Sequence, residues 1–164
     1  MKYFAYGSNM SLTRLRERAP SAVVIGCCTL AGHDLRFHKS GRDGSGKCNA
    51  FHSGEVGDVV YGVLFEICPS DKPALDKAEG LGYGYDEKNV TIRAVDGTIF
   101  ESFTYIATDT DESLRPFSWY VNHVLVGARA ASLPEEYVQR KITVVQSTDD
   151  PDIARDTQQR AMHG

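Results

Sequence analysis

Residues 59–67 constrain the fold more than any other stretch. Val59, Tyr61, Val63, Phe65 and Ile67 fill one face of an extended segment, and Val60, Gly62 and Leu64 leave the other face nearly as apolar. Such a strand has no face to give to water, so it belongs in the middle of a sheet. A helix follows, with Ser70 or Asp71 as its cap, Pro73 in its first turn and Gly80 as its stop. A second glycine-rich turn, Gly80-Leu81-Gly82-Tyr83-Gly84-Tyr85, leads to strands at residues 89–95 and 99–107. The Asp96-Gly97 pair between them is a hairpin signal.

Tyr3 to Tyr6 read as a strand ahead of this unit. Gly7 gives the chain freedom to turn, and Ser8, Asn9 and Ser11 are all suited to capping a short helix at residues 11–17. A strand, a glycine turn and a helix start leave backbone N–H groups unpaired and aimed together, which suits a carboxylate or a developing oxyanion. Arg14, Arg16 and Arg18 on that helix read as a solvated face, with the alternative that one steers an acidic substrate.

Residues 21–30, with Val23, Val24, Ile25, Cys27 and Cys28, read as a strand buried on both faces, and Leu35 and Phe37 continue an extended segment. Residues 41–54 are glycine-rich and polar, which predicts a flexible loop with at most one short strand near residues 48–52. Residues 108–113 form an acidic loop. A helix spans residues 118–131, and another starts at Pro134. Residues 147–164 are polar and are expected to be a loosely held tail beyond a single domain at residues 1–146. Together these elements predict an α+β class: a small mixed, partly closed β-barrel of about six strands with peripheral helices.

The chain has 164 residues, 41% of them hydrophobic, which is enough for one domain with a sizeable core. Its net charge of −4 argues against nucleic acid or an anionic membrane as a partner. No apolar run approaches the roughly 20 residues of a membrane-spanning helix. Met1-Lys2-Tyr3 leads straight into a strand, so no signal peptide is visible and a cytoplasmic location is expected. Cys27, Cys28, Cys48 and Cys68 contain no C-x-x-C pair and read as small buried hydrophobes.

The search for chemistry begins with a nucleophile and does not find one. There is no G-x-S-x-G elbow, and His33, His38, His52, His123 and His163 have no metal-ligand spacing. One carboxylate stands out. Glu79 ends its helix, where the dipole disfavours an anion, and partial burial of the side chain would add to that effect. A carboxyl group so placed is suited to taking a proton and giving it back.

These residues resemble a known family. Tyr6-Gly7-Ser8-Asn9 is similar to the Y-G-S-N signature of the γ-glutamylcyclotransferases, and Leu75-Asp76-Lys77-Ala78-Glu79-Gly80 to their L-D-x-x-E-G segment. Val60-Tyr61-Gly62-Val63 resembles the strand before that segment. Tyr120, Gly127-Ala128 and Leu133-Pro134-x-x-Tyr137 resemble the late helical region. The resemblance implies cyclisation of a γ-glutamyl amino acid or amine to 5-oxoproline, with Glu79 as the acid/base. It implies that substrate lies along Tyr3, Phe4, Ala5, Tyr6, Gly7, Ser8 and Asn9, and against Tyr120, with Tyr85 as a further lining residue. It brings in no metal or organic cofactor, and it suggests a homodimer. Two other readings stay open: a non-catalytic γ-glutamyl-binding module on the same fold, and a relative specialised for γ-glutamyl amines or a secondary metabolite.

Overall fold

The computed structural model describes residues 1–164. Five of its seven strands close into a barrel. They are β1 (Lys2–Ala5), β2 (Val23–Ala31), β5 (Val59–Glu66), β6 (Tyr85–Ala94) and β7 (Ile99–Ala107), in the order β1-β5-β2-β6-β7. The remaining two, β3 (His33–Ser40) and β4 (Gly46–His52), form a separate antiparallel pair. The barrel is therefore fully closed, and it has fewer strands than the sequence suggests. Closure comes from a single parallel contact of Tyr3 on β1 with Phe103 on β7, whose rings stack with centroids 5.2 Å apart.

Strand β5 is the centre of the barrel, as its two apolar faces require. It pairs with β1 on one side and β2 on the other, and Val60, Val63, Leu64 and Phe65 are all essentially inaccessible. The Asp96-Gly97 turn joins β6 to β7 in an unbroken antiparallel register from Tyr85–Ala107 to Arg93–Ile99. Strand β2 departs from expectation. Val23, Val24 and Ile25 are exposed at 58%, 46% and 42%, because β6 pairs only with Cys28 and Thr29 and leaves the start of β2 uncovered. A register shift between Val24 and Gly26 also bends it there. The glycine-rich stretch at residues 41–54 is also more ordered than expected, since half of it is β4. The cysteines divide: Cys28 and Cys48 are buried, Cys27 half-buried and Cys68 exposed.

Helices fill the periphery: α1 (Leu12–Arg16), α2 (Lys72–Glu79), α3 (Ser118–Ala130), α4 (Glu135–Val138) and α5 (Ile153–Ala161). Helix α2 ends where Gly80 turns left-handed at φ 66°, a conformation that costs glycine nothing. Asp71 occupies the cap position of α2 but makes no cap hydrogen bond. Its carboxylate takes the Ser21 N–H and hydroxyl instead. Leu75, fully buried, contributes about 2 kcal/mol to docking the helix on the barrel. Asp76 fixes its rotation, accepting the Tyr105 hydroxyl at 2.6 Å and facing Lys72 at 2.5 Å.

Helix α3 lies directly on the turn that follows β1. A Cβ on Gly127 would come within 2.4 Å of the Met10 and Ser11 backbone, so glycine is needed for that approach. The C-terminal segment is not a loose tail. Helix α5 packs on α3, and Asp150 ahead of it accepts from the Trp119 indole at 2.8 Å and from Arg155 at 2.6 and 2.7 Å. No helix is long and apolar enough to cross a membrane.

Candidate active site

The turn after β1 and the end of α2 meet. Residues Ser8–Met10 form a single 3₁₀ turn, and α1 begins only at Leu12, capped by Ser11, whose Oγ accepts from the Arg14 N–H. The amides of Gly7, Ser8 and Asn9 donate no hydrogen bond within the protein. Gly7 sits here because of crowding rather than a left-handed φ. A Cβ would lie 2.8 Å from Cys48 Cβ and 3.5 Å from the Tyr120 hydroxyl.

Asn9 connects the two halves. Its Nδ2 donates to Glu79 Oε1 at 2.7 Å and to the Tyr3 hydroxyl at 3.0 Å. Its Oδ1 accepts from Arg18 Nη1 at 2.8 Å, which fixes the orientation of the amide. Glu79 is half-buried and accepts from Asn9 alone. One carboxylate oxygen is therefore held and the other is available.

Two spaces share Glu79 in their linings. The inner one is a narrow recess walled by Tyr3, Tyr6, Cys48 and Tyr105 and floored by Gly7, Ser8 and Asn9. The outer one is a cavity of about 330 Å³. Ser8, Glu79, Tyr85 and Tyr120 line both.

Several hydroxyls of the recess bond to the scaffold, those of Tyr3 and Tyr120 only as acceptors. Tyr85 donates to the Cys48 carbonyl at 2.6 Å, Tyr120 accepts the Cys48 N–H at 2.9 Å, and Tyr6 donates to the Tyr105 carbonyl. Burial raises the pKa of Tyr3, Tyr6, Tyr85 and Tyr120 well above that of a free phenol, so all four stay protonated. Burial also pushes the Cys48 thiol up to about 12, so it offers no thiolate nucleophile at neutral pH. Of the residues expected at the site, Tyr3, Tyr6, Gly7, Ser8, Asn9, Glu79, Tyr85 and Tyr120 are brought together. Phe4 and Ala5 line neither space. Their side chains are buried at 0% and 1%, and the Phe4 carbonyl accepts from Thr104.

The structure adds a group of residues that sequence reasoning left on the surface. Arg14, Arg18, Lys39, Arg42, Lys47 and Lys77 line the outer cavity. Only Asp43 and Glu79 oppose them there. Arg14 is buried rather than solvated. Its Nε donates to Ser8 Oγ at 3.1 Å and its Nη1 to Gln159 of α5 at 2.9 Å. Burial lowers its pKa to about 10, which leaves it cationic at neutral pH.

A small closed barrel with an acid residue joined to a cap-like turn defines a fold family that has been solved before. Residues 59–140 match the AIG2-like family. The chain is 32% identical over 154 residues to a γ-glutamylcyclotransferase of Bos taurus, covering 90% of this chain and 79% of that one. It is also 32% identical over 155 residues to the γ-glutamylcyclotransferase of Homo sapiens, again covering 90% and 79%. A solved structure of a γ-glutamyl cyclotransferase superposes with a TM-score of 0.82 at 29% identity, over 90% of this chain and 89% of the other. The chain belongs to the γ-glutamylcyclotransferase family.

Proposed function

We propose that this chain cyclises γ-glutamyl compounds to 5-oxoproline and releases the amine, with Glu79 as the group that moves protons. The observation that carries the reading is the 2.7 Å hydrogen bond from Asn9 to Glu79, which ties the carboxylate to the turn with the unpaired amides. The names of the relatives, all γ-glutamylcyclotransferases, support it.

The reaction asks little of the protein. The α-amine and the γ-carbonyl belong to one molecule, so ring closure is intramolecular and no protein nucleophile is needed. The α-ammonium gives up one proton to become a nucleophile and a second as the new N–C bond forms. The first is lost to solvent, and the free oxygen of Glu79 accepts the second. The amides of Gly7, Ser8 and Asn9 offer hydrogen bonds to the tetrahedral oxyanion. As the old C–N bond breaks, that proton passes from Glu79 to the departing nitrogen, and the released amine takes a further proton from water to become an ammonium. The substrate occupies the recess and the cavity beside it, against Tyr85 and Tyr120. We place the protein in the cytoplasm as a homodimer.

Incubation with γ-glutamyl-alanine tests the activity directly. The expected result is stoichiometric 5-oxoproline and alanine. Intact substrate after prolonged incubation with folded protein overturns cyclisation of γ-glutamyl-alanine and leaves the binding module and the relative specialised for other γ-glutamyl compounds.

A further inference from the structure

The cations of the outer cavity are unequal in what they already hold. Arg14 is bonded to Ser8 and Gln159, and Arg18 to Asn9. Lys47 lies 2.9 Å from Asp43 Oδ2, and the other oxygen of Asp43 accepts from Ser45. Asp43 is thus fully engaged. Lys39, Arg42 and Lys77 make no hydrogen bond through their side chains and no ion pair.

Lys39 is the unusual member. It is 8% exposed, so more than nine-tenths of it is buried, yet its ammonium has no partner. The ammonium lies 4.7 Å over the Tyr85 ring, a wall of the cavity, and within 3.3 Å of where a Cβ on Gly84 would stand. Arg42 lies over the neighbouring Tyr83 ring at 4.8 Å. The stem of Lys39 is buried while its ammonium reaches the cavity, where it makes no hydrogen bond or ion pair and is left able to take a ligand's anion. The only other carboxylate in the cavity, Glu79, is reserved for proton transfer.

Glu79 stands on the boundary between recess and cavity, so the scissile bond lies at that boundary. The γ-glutamyl group is on the side of the turn, and the departing amine extends into the outer cavity. We propose that Lys39, supported by Arg42 and Lys77, is a carboxylate subsite for the departing residue, and that the preferred substrates are γ-glutamyl peptides whose released amino acid is itself acidic. This rests on the cyclisation reading above. An α-carboxylate alone leaves most of the cationic cluster uncompensated, and a side-chain carboxylate supplies the second anion. A cationic amine is disfavoured by the same charges.

The test uses two isosteric peptides, γ-glutamyl-glutamate and γ-glutamyl-glutamine, which differ only in the charge of the departing side chain. For the parent protein at low salt, kcat/KM for γ-glutamyl-glutamate is expected to be about tenfold higher, the scale of one charge-assisted hydrogen bond. The ratio shrinks as ionic strength rises. Lys39→Met brings the ratio towards one, and Lys39→Arg, which keeps the charge, retains it. Turnover of both peptides with a parent ratio of one or below overturns the proposal alone. So does a Lys39→Met variant that slows both peptides equally, because a structural role would do that. Absence of 5-oxoproline from either peptide and from γ-glutamyl-alanine overturns the cyclisation reading, and this proposal with it.

Discussion

The two spaces that meet at Glu79 are built from different materials. The inner recess is lined by tyrosines, several of them bonded to the scaffold, and by the turn whose Gly7, Ser8 and Asn9 amides donate to nothing in the protein. The outer cavity is walled by long cationic side chains, several of them without partners. A tyrosine wall is rigid and fixes one shape, which suits the part of the substrate that never changes. Lysine and arginine carry charge on flexible stems and read the part that varies. Under the proposed function, recognition of the common group and discrimination among departing amines fall to separate surfaces that share Glu79.

That contrast can be broken at several points. Glu79→Gln should have the largest effect, a loss of about a thousandfold or more in kcat, in line with removing a group that serves as both acid and base. The amide keeps an oxygen for Asn9, so geometry survives and the assay reads chemistry. Asn9→Ala should cost about a hundredfold in kcat/KM, since it frees both Glu79 and Arg18 from the turn. A smaller loss would mean that the carboxylate is held by something other than the turn.

Gln159→Ala tests the link between the recess and the C-terminal helix. Gln159 Oε1 accepts from Arg14 and from the His123 ring, and Arg14 in turn holds Ser8. Gln159 is a positioning residue. Its loss should raise KM for γ-glutamyl-alanine by up to about tenfold with little change in kcat, because Ser8 is loosened and Glu79 is not. A Gln159→Glu variant, which keeps the acceptor, should restore KM.

The smallest effect is in stability against pH. His123 is fully buried, and burial, reinforced by Arg14 and His163, lowers its pKa to about 4. The folded value lies below the unfolded one, so as pH falls the unfolded chain takes up the proton first. The stabilisation is complete above about pH 6.5, declines as pH falls below that value, and is fully lost near pH 4. The melting temperature should fall by a few degrees between pH 7 and 5. A flat profile over that range contradicts the buried neutral ring.

The recess was far more legible in the sequence than the cavity. Gly7, Ser8 and Asn9 announce a turn by residue type, and Glu79 with Gly80 announces a helix end, so both halves can be read locally. The cations cannot. They arrive from α1 and the turn after it, from β3 with β4 and the turn between them, and from α2, and only tertiary structure brings them to one place. Arg14 and Arg18 look like a solvated helix face because spacing within α1 says nothing of α5 or Asn9. Helix α5 was missed for a related reason: it is held by Gln159, Asp150 and Arg155 rather than by an apolar stripe, so no periodicity marks it. Strand β2 errs the other way. Val23-Val24-Ile25 has the composition of a buried run, but its neighbour β6 stops short of it.

Calorimetric titration of the Glu79→Gln variant with γ-glutamyl-alanine tests the division of labour most directly. The account predicts binding within a few-fold of the parent KM and no 5-oxoproline in the cell. Lost binding, or turnover at the parent rate, contradicts it.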